Sequence, residues 1–243
     1  GAFVIGAFFY VVGVIFYMIG LRPDPLLEAR AQRVRDGVEV PTTKRSMRAA
    51  FGILRATPLA AAAVVAMALS HGVMVGIMSM TPVHLSMMDV ALPLIGLTVS
   101  LHTAGMYGFS PIFGWLSDRF GRVAVIVLGQ LMLIGALVAN TIAPEDMTAV
   151  VTAMILLGLG WSASTVAGSA LLTESVTPEN RTTVQGLSDT LMSLTGAASG
   201  ALAGLTLAII GFGPLNSVTI ASTVVVTGVV LLVRSRARVA PTA

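Results

Sequence analysis

Two ionisable side chains lie well inside long apolar runs of this sequence. His102 stands midway in the run from Ala91 to Phe113, and Asp189 stands about five residues into the run that begins near Val184. A charged group at the centre of a bilayer costs roughly 2.5–3.5 kcal/mol on insertion scales, so each is a candidate for work that repays its presence. Histidine titrates near neutral pH, which suits proton exchange. Tyr107 lies near His102, and Gln185 lies one helical turn before Asp189, so each has a hydrogen-bonding companion. The chemistry on offer is reversible protonation or direct contact with a polar solute. Packing alternatives stay open: His102, followed by Thr103, also suits a hydrogen-bonded core position. Asp189, among Gln185, Ser188 and Ser193, also suits a structural hub or an ion-pair partner.

A second constellation is the stretch Gly114-Trp115-Leu116-Ser117-Asp118-Arg119-Phe120-Gly121-Arg122. Two glycines, an acid and two arginines between apolar runs predict a tight charged turn at a membrane surface. An acid there favours a neighbouring helix N-terminus. His71 lies in the second run and His84 just beyond its outer end, where a wet interfacial position is expected. No metal cluster emerges from three histidines spread over two spans and a loop, and no cofactor is expected. No H-E-x-x-H, Gly-x-Ser-x-Gly or paired-carboxylate pattern is present, so the sequence does not read as an enzyme.

The elements that must hold these residues follow from composition. Of 243 residues, 56% are apolar and 10% charged, with a mean hydropathy of +0.92. Soluble domains carry about a quarter charged residues, so the chain reads as an all-α polytopic membrane protein. There are no cysteines, which excludes disulfides, iron–sulfur clusters and thiolate metal sites. The chain begins at Gly1 inside an apolar run, without the basic flank of a signal peptide, and is read as a fragment lacking its natural N-terminus.

Seven runs reach the roughly 17–25 residues that a membrane helix needs. They lie near 1–21, 58–80, 91–113, 123–143, 148–172, 184–209 and 216–233. Residues 22–57 form a hydrophilic connection, and residues 234–243 a basic tail. Within the connection Met47, Ala50, Phe51 and Leu54 follow helical spacing opposite Lys44, Arg45, Arg48 and Arg55. That pattern suits a basic amphipathic helix on a membrane surface, with a solvated linker helix as the alternative. Gly196, Gly200 and Gly204 recur every fourth residue, as in a packing seam.

Every one of the fourteen Lys and Arg residues falls on one side of the seven-span layout, while the opposite connections carry only Asp89, Glu145 and Asp146. The positive-inside rule makes that side cytoplasmic, with the long connection, the charged turn and the C-terminus on it. This placement also accounts for the net charge of +3 without nucleic acid as a partner.

The charged stretch resembles the loop signature of the major facilitator superfamily of transporters, G-x-L-A-D-R-x-G-R-[KR]-x-x-L. Gly114, Leu116, Asp118, Arg119, Gly121 and Arg122 match; Ser117 replaces a small residue, Val123 stands where a second basic residue is usual, and Ile126 where a leucine is usual. The resemblance implies that residues 1–21 are equivalent to helix six, residues 22–57 to the central cytoplasmic loop, and residues 58–233 to the six-helix C-terminal bundle. The signature then lies between helices eight and nine, and the N-terminal helices of the same protein are absent. It further implies a gating latch in which Asp118 engages the start of span six and Arg119 or Arg122 pairs with Glu174 or Glu179, near Arg181. The expected function is secondary active transport of a small solute by alternating access, coupled to protons, in the plasma membrane, with export slightly favoured over import. A seven-helix receptor-like protein is the alternative. A retinal protein is disfavoured, because Lys44, the only lysine, lies outside every span.

Overall fold

The computed structural model describes residues 2–22, 25–35, 37 and 46–239. Lys44 and Arg45, part of the expected basic face, lie outside the described residues, as do 240–243 of the expected tail. The described chain is helical throughout and divides into two units, residues 1–44 and 45–243. The first unit holds α1 (Ala2–Gly20) and α2 (Pro25–Arg35). The second holds α3 (Met47–Ala56), α4 (Pro58–Met87), α5 (Leu92–Gly108), α6 (Ser110–Phe120), α7 (Arg122–Ile142), α8 (Met147–Glu174), α9 (Arg181–Ile210) and α10 (Phe212–Val239).

Five of these, α4 and α7–α10, are long and apolar enough to cross a membrane. The expected third span instead comprises two helices, α5 and α6, broken at Phe109. Pro111 sits in the first turn of α6, where its missing N–H is tolerated, but it cannot continue an unbroken helix from α5. The second span overshoots its expected end. Pro82 lies inside α4, which runs on to Met87 and includes His84.

The charged stretch is not a loop. Gly114 to Phe120 are helical, and the connection to α7 is Gly121 alone, at φ +92. Only glycine adopts that backbone without strain. Gly211, at φ +85, joins α9 to α10 in the same way. At the start of α8 Asp146 accepts hydrogen bonds from the backbone N–H groups of Thr148 (2.7 Å) and Ala149 (3.3 Å), a side-chain cap.

In lipid, helices associate through close packing and interhelical hydrogen bonds, because hydrocarbon solvates apolar side chains as well as another helix does. Small residues therefore mark the seams. On α4, Gly72 and Gly76 lie against Thr195, Ser199 and Ala203 of α9; in return Gly196, Gly200 and Gly204 lie against His71, Val75 and Met80. Gly129 of α7 meets Gly160 of α8, and Gly105 of α5 meets the α8 backbone at Ile155. The largest fully buried side chains, among them Met67, Ile126, Leu133, Met154 and Leu172, fill the space between α4, α7 and α8. In α3 the expected apolar face is split. Ala50 and Leu54 are buried in the bundle's core cluster, while Met47 and Phe51 are half exposed beside Arg48 and Arg55.

Candidate functional site

Three groups of polar side chains stand out against this apolar frame. The first is at the α6–α7 connection. Arg122, at the first position of α7, reaches both neighbours: its guanidinium lies 2.5 Å from Asp118 of α6 and 2.7 Å from Glu174 at the end of α8. Its Nε also donates to both Glu174 oxygens, at 3.1 and 3.2 Å. The fork geometry of arginine thus ties three helix ends together. Asp118 was expected at the start of span six, but α6 and α9 do not pack together among the described residues, and Asp118 turns to Arg122 instead. Arg119 forms no ion pair among the described residues; its guanidinium lies over the rings of Trp115 (5.7 Å) and Phe120 (5.8 Å). Those rings are exposed, as suits aromatic residues at a membrane interface. Arg181 begins α9 and donates through Nε to the Thr173 carbonyl (2.8 Å), closing an open acceptor of the last turn of α8. Glu179 lies in the connection between those two helices.

The second group comprises the two ionisable candidates, and the structure keeps them apart. Asp189 is exposed on α9, and Gln185 donates to its carboxylate at 3.0 Å. His102 is fully buried against α8, its Nδ1 donating to the Met154 carbonyl at 2.8 Å. A carbonyl only accepts, so Nδ1 carries the proton. Nε2 has no hydrogen-bond partner among the described residues. The helices that carry the two residues, α5 and α9, do not pack on each other among the described residues.

The third group is one that spacing alone did not assemble. Trp161 of α8 donates through its indole N–H to Nδ1 of His71 on α4 (3.1 Å), and Tyr107 of α5 meets the same indole edge to face, with centroids 6.0 Å apart. Tyr107 also lines a cleft of about 390 Å³ between α4 and α5, with Met74, Met78 and Met106. The helical positions of His71 and Tyr107 were legible in the sequence, but Trp161 carried no signal beyond being a tryptophan within a span. His84, expected to be wet, is packed: its ring stacks on Phe212 at 4.1 Å and its Nε2 lies 2.6 Å from the Pro144 carbonyl.

Deeper in the bundle Gln130 donates to the hydroxyls of Ser70 (2.7 Å) and Ser164 (2.9 Å), bridging α7 to α4 and α8. Asn140 donates to Asn216 (3.3 Å), bridging α7 to α10. Both contacts are buried and uncharged, and they fix helix rotation where apolar packing is permissive. Among the described residues no group of three or more His, Asp or Glu could hold a metal ion.

Comparison with known proteins now bears on this arrangement. Residues 87–242 match the family described as the Major Facilitator Superfamily. The chain is 35% identical over 214 residues to the uncharacterized MFS-type transporter YddS of Bacillus subtilis (strain 168), covering 86% of this chain and 48% of that protein. It is 36% identical over 209 residues to the uncharacterized MFS-type transporter YdeG of the same strain, again covering 86% and 48%. Similarity to the riboflavin transporter RfnT of Brucella anthropi is 28% over 147 residues, covering 60% and 37%. The chain thus spans about half the length of the first two relatives. With a matching family over most of its helices, and with the charged α6–α7 connection among them, this chain belongs to the major facilitator superfamily.

Proposed function

We propose that the chain is the C-terminal portion of a secondary transporter, rather than an enzyme, and that it moves a small solute by alternating access. α1 would be equivalent to helix six and α4–α10 to the C-terminal bundle, with preceding helices of the same protein completing the path. The observation that carries this reading is the family match together with similarity to proteins named as transporters. Glycine seams between α4 and α9 and between α7 and α8 support a bundle that moves as a tightly packed unit. Orientation with the Arg122 end in the cytoplasm of a plasma-membrane protein rests on the one-sided distribution of Lys and Arg.

Asp189 serves as the proton-coupling carboxylate in this proposal. It is exposed, and among the described residues its carboxylate is hydrogen-bonded by Gln185 alone. His102 is sealed in the α5–α8 contact and holds a backbone carbonyl, which supports a packing role. Export is favoured over import, because a membrane carboxylate suits cationic or neutral solutes whereas none of the Lys or Arg residues falls within an expected span. The test uses the full-length protein in vesicles holding a pH-sensitive dye, with solute gradients imposed from a panel of lipophilic cations and neutral metabolites. Solute-dependent proton movement is the expected result; solute flux without proton movement would discard the coupling, and no flux across the panel would leave the transport reading without support.

The Arg122 ion pairs serve as the latch of the same cycle. Arg122→Glu places a third carboxylate beside Asp118 and Glu174, and is expected to slow transport on the order of tenfold, within the usual range of coupling energies. Adding Glu174→Arg should restore much of the rate. Melting temperature should change little in either protein, since the pairs are solvent-exposed and worth at most about 1 kcal/mol. A rate that ignores both substitutions would reduce these arginines to topological anchors.

A further inference from the structure

We propose that the cleft between α4 and α5 binds a planar, uncharged aromatic solute, held against the ring of Tyr107. The inference rests on the transport reading only in taking that solute as cargo. The lining of the cleft sets the class. Met74 and Met78 come from α4, Met106 and Tyr107 from α5, and no lining residue is charged. Thioethers are polarisable and favour aromatic ring edges, so three methionines around an open aromatic face suit a flat π-system more than a saturated ring. A cation would find no counter-charge here and an anion no positive group.

The polar atoms narrow it further. Ser79 and Thr103 also line the cleft, but their hydroxyl protons are committed to the carbonyls of Gly76 (3.1 Å) and Val99 (2.9 Å) in their own helices. They offer lone pairs only. The Tyr107 hydroxyl has no hydrogen bond among the described residues and the residue is 61% exposed, which leaves the hydroxyl as a free donor. A solute with a ring-borne acceptor atom matches that donor.

The platform is rigid from behind. Trp161 is pinned by its N–H bond to His71, and the Tyr107 ring meets it at an interplanar angle of 74°. Preorganised aromatic surfaces bind flat ligands at little ordering cost. The backbone supplies a second, independent sign. α5 breaks at Phe109, two residues beyond Tyr107. At about 1.5 Å per residue that break lies some 25 Å from the start of α5, inside the expected span and about 6 Å from its other end. Interrupted backbone at membrane depth is tolerated where it is buried in protein or lines a cavity, and discontinuous helices recur at transporter binding sites. The cleft volume, about 390 Å³, falls within the roughly 300–1,000 Å³ of small-molecule sites.

The test labels the full-length protein with 5-fluorotryptophan in nanodiscs and follows the fluorine resonance that disappears in Trp161→Phe. Phenazine is the planar uncharged probe; ethidium is the planar cation and decalin the saturated uncharged comparator. Phenazine is expected to shift the Trp161 resonance saturably, and half-saturation should rise about three- to tenfold in Tyr107→Ala, the range of one aromatic pair. Tyr107→Phe should retain most of the ring contribution and lose the hydroxyl's. Partition of phenazine into lipid is common to all variants and cancels in the comparison. An equal response to decalin, as an acyl-chain groove would give, overturns the proposal, and so does half-saturation that ignores Tyr107→Ala. Counterflow of radiolabelled phenazine separates the two readings: saturable binding without counterflow keeps the site and counts against transport of this class. Counterflow of a solute that leaves Trp161 unmoved keeps transport and removes the site.

Discussion

Asp189→Asn is expected to reduce solute-driven proton movement to the level of empty vesicles while leaving the folded protein intact. The substitution is close to isosteric, and Gln185 can still donate to the remaining oxygen as it does now at 3.0 Å. What is lost is the ability to take up and release a proton, since a carboxamide does neither at neutral pH. Exposure on α9 means that no buried partner is orphaned by the change, so the melting temperature should stay close to wild type. The informative control is His102→Gln. A glutamine amide can donate to the Met154 carbonyl that His102 now holds at 2.8 Å, so coupling is expected to survive. Proton movement that persists in Asp189→Asn and vanishes in His102→Gln would reverse the assignment. In that case the unpartnered Nε2 of His102 would become the group of interest.

The second large effect is structural. Gly129→Val is expected to lower the melting temperature of the purified protein severely. A Cβ at Gly129 would lie 2.7 Å from the Gly160 carbonyl oxygen and 2.8 Å from the Ser164 backbone nitrogen. Both are backbone atoms, so neither can swing aside as a flexible side chain would. The approach is reciprocal: a Cβ at Gly160 would lie 2.8 Å from the Gly129 carbonyl oxygen. Helices α7 and α8 would have to separate, at an overpacking cost of about 1–3 kcal/mol. Separation would also stretch the bond from Gln130, the next residue, to Ser164. Gly135→Ala, on the same helix, is the contrast. Its new methyl would meet only Leu156 Cδ1 at 3.9 Å, an ordinary contact, and should be tolerated. Thermal unfolding of both variants in one detergent makes the comparison, and a melting temperature for Gly129→Val equal to that of Gly135→Ala would show that the close approach is not needed for stability.

The broad architecture was legible because it depends on properties local to each segment. An apolar run long enough to span announces itself, and so does a charged stretch between two such runs. Glycines at a spacing of four located the α9 seam, and Gly196 does lie against His71. What escaped the sequence depends on contacts between helices or on one residue's backbone. Pro82 and Pro111 look alike as punctuation, yet the first sits inside a continuing helix and the second follows a break. The charged stretch reads as a loop by composition, but Ser117, Asp118 and Arg119 are all acceptable in a helix, and one glycine suffices to turn the chain. Gln130 sits in an apolar run with no local sign that Ser70 and Ser164, 60 and 34 residues distant, will meet its amide. The pairing of Trp161 with His71 spans 90 residues and is a product of the fold.

The single-residue connection at Gly211 joins two helices that face different partners. With no slack between them, α9 and α10 are held with their facing ends one residue apart. Yet they are not each other's main packing partners: α9 packs chiefly on α4, and α10 on α7 and α4. Neighbours in sequence are therefore not the main neighbours in packing, and each lies chiefly against helices earlier in the chain. The Asn140–Asn216 bond fixes α10 against α7 across a separation of 76 residues. The tight turn thus joins two helices whose main contacts are made with helices earlier in the chain.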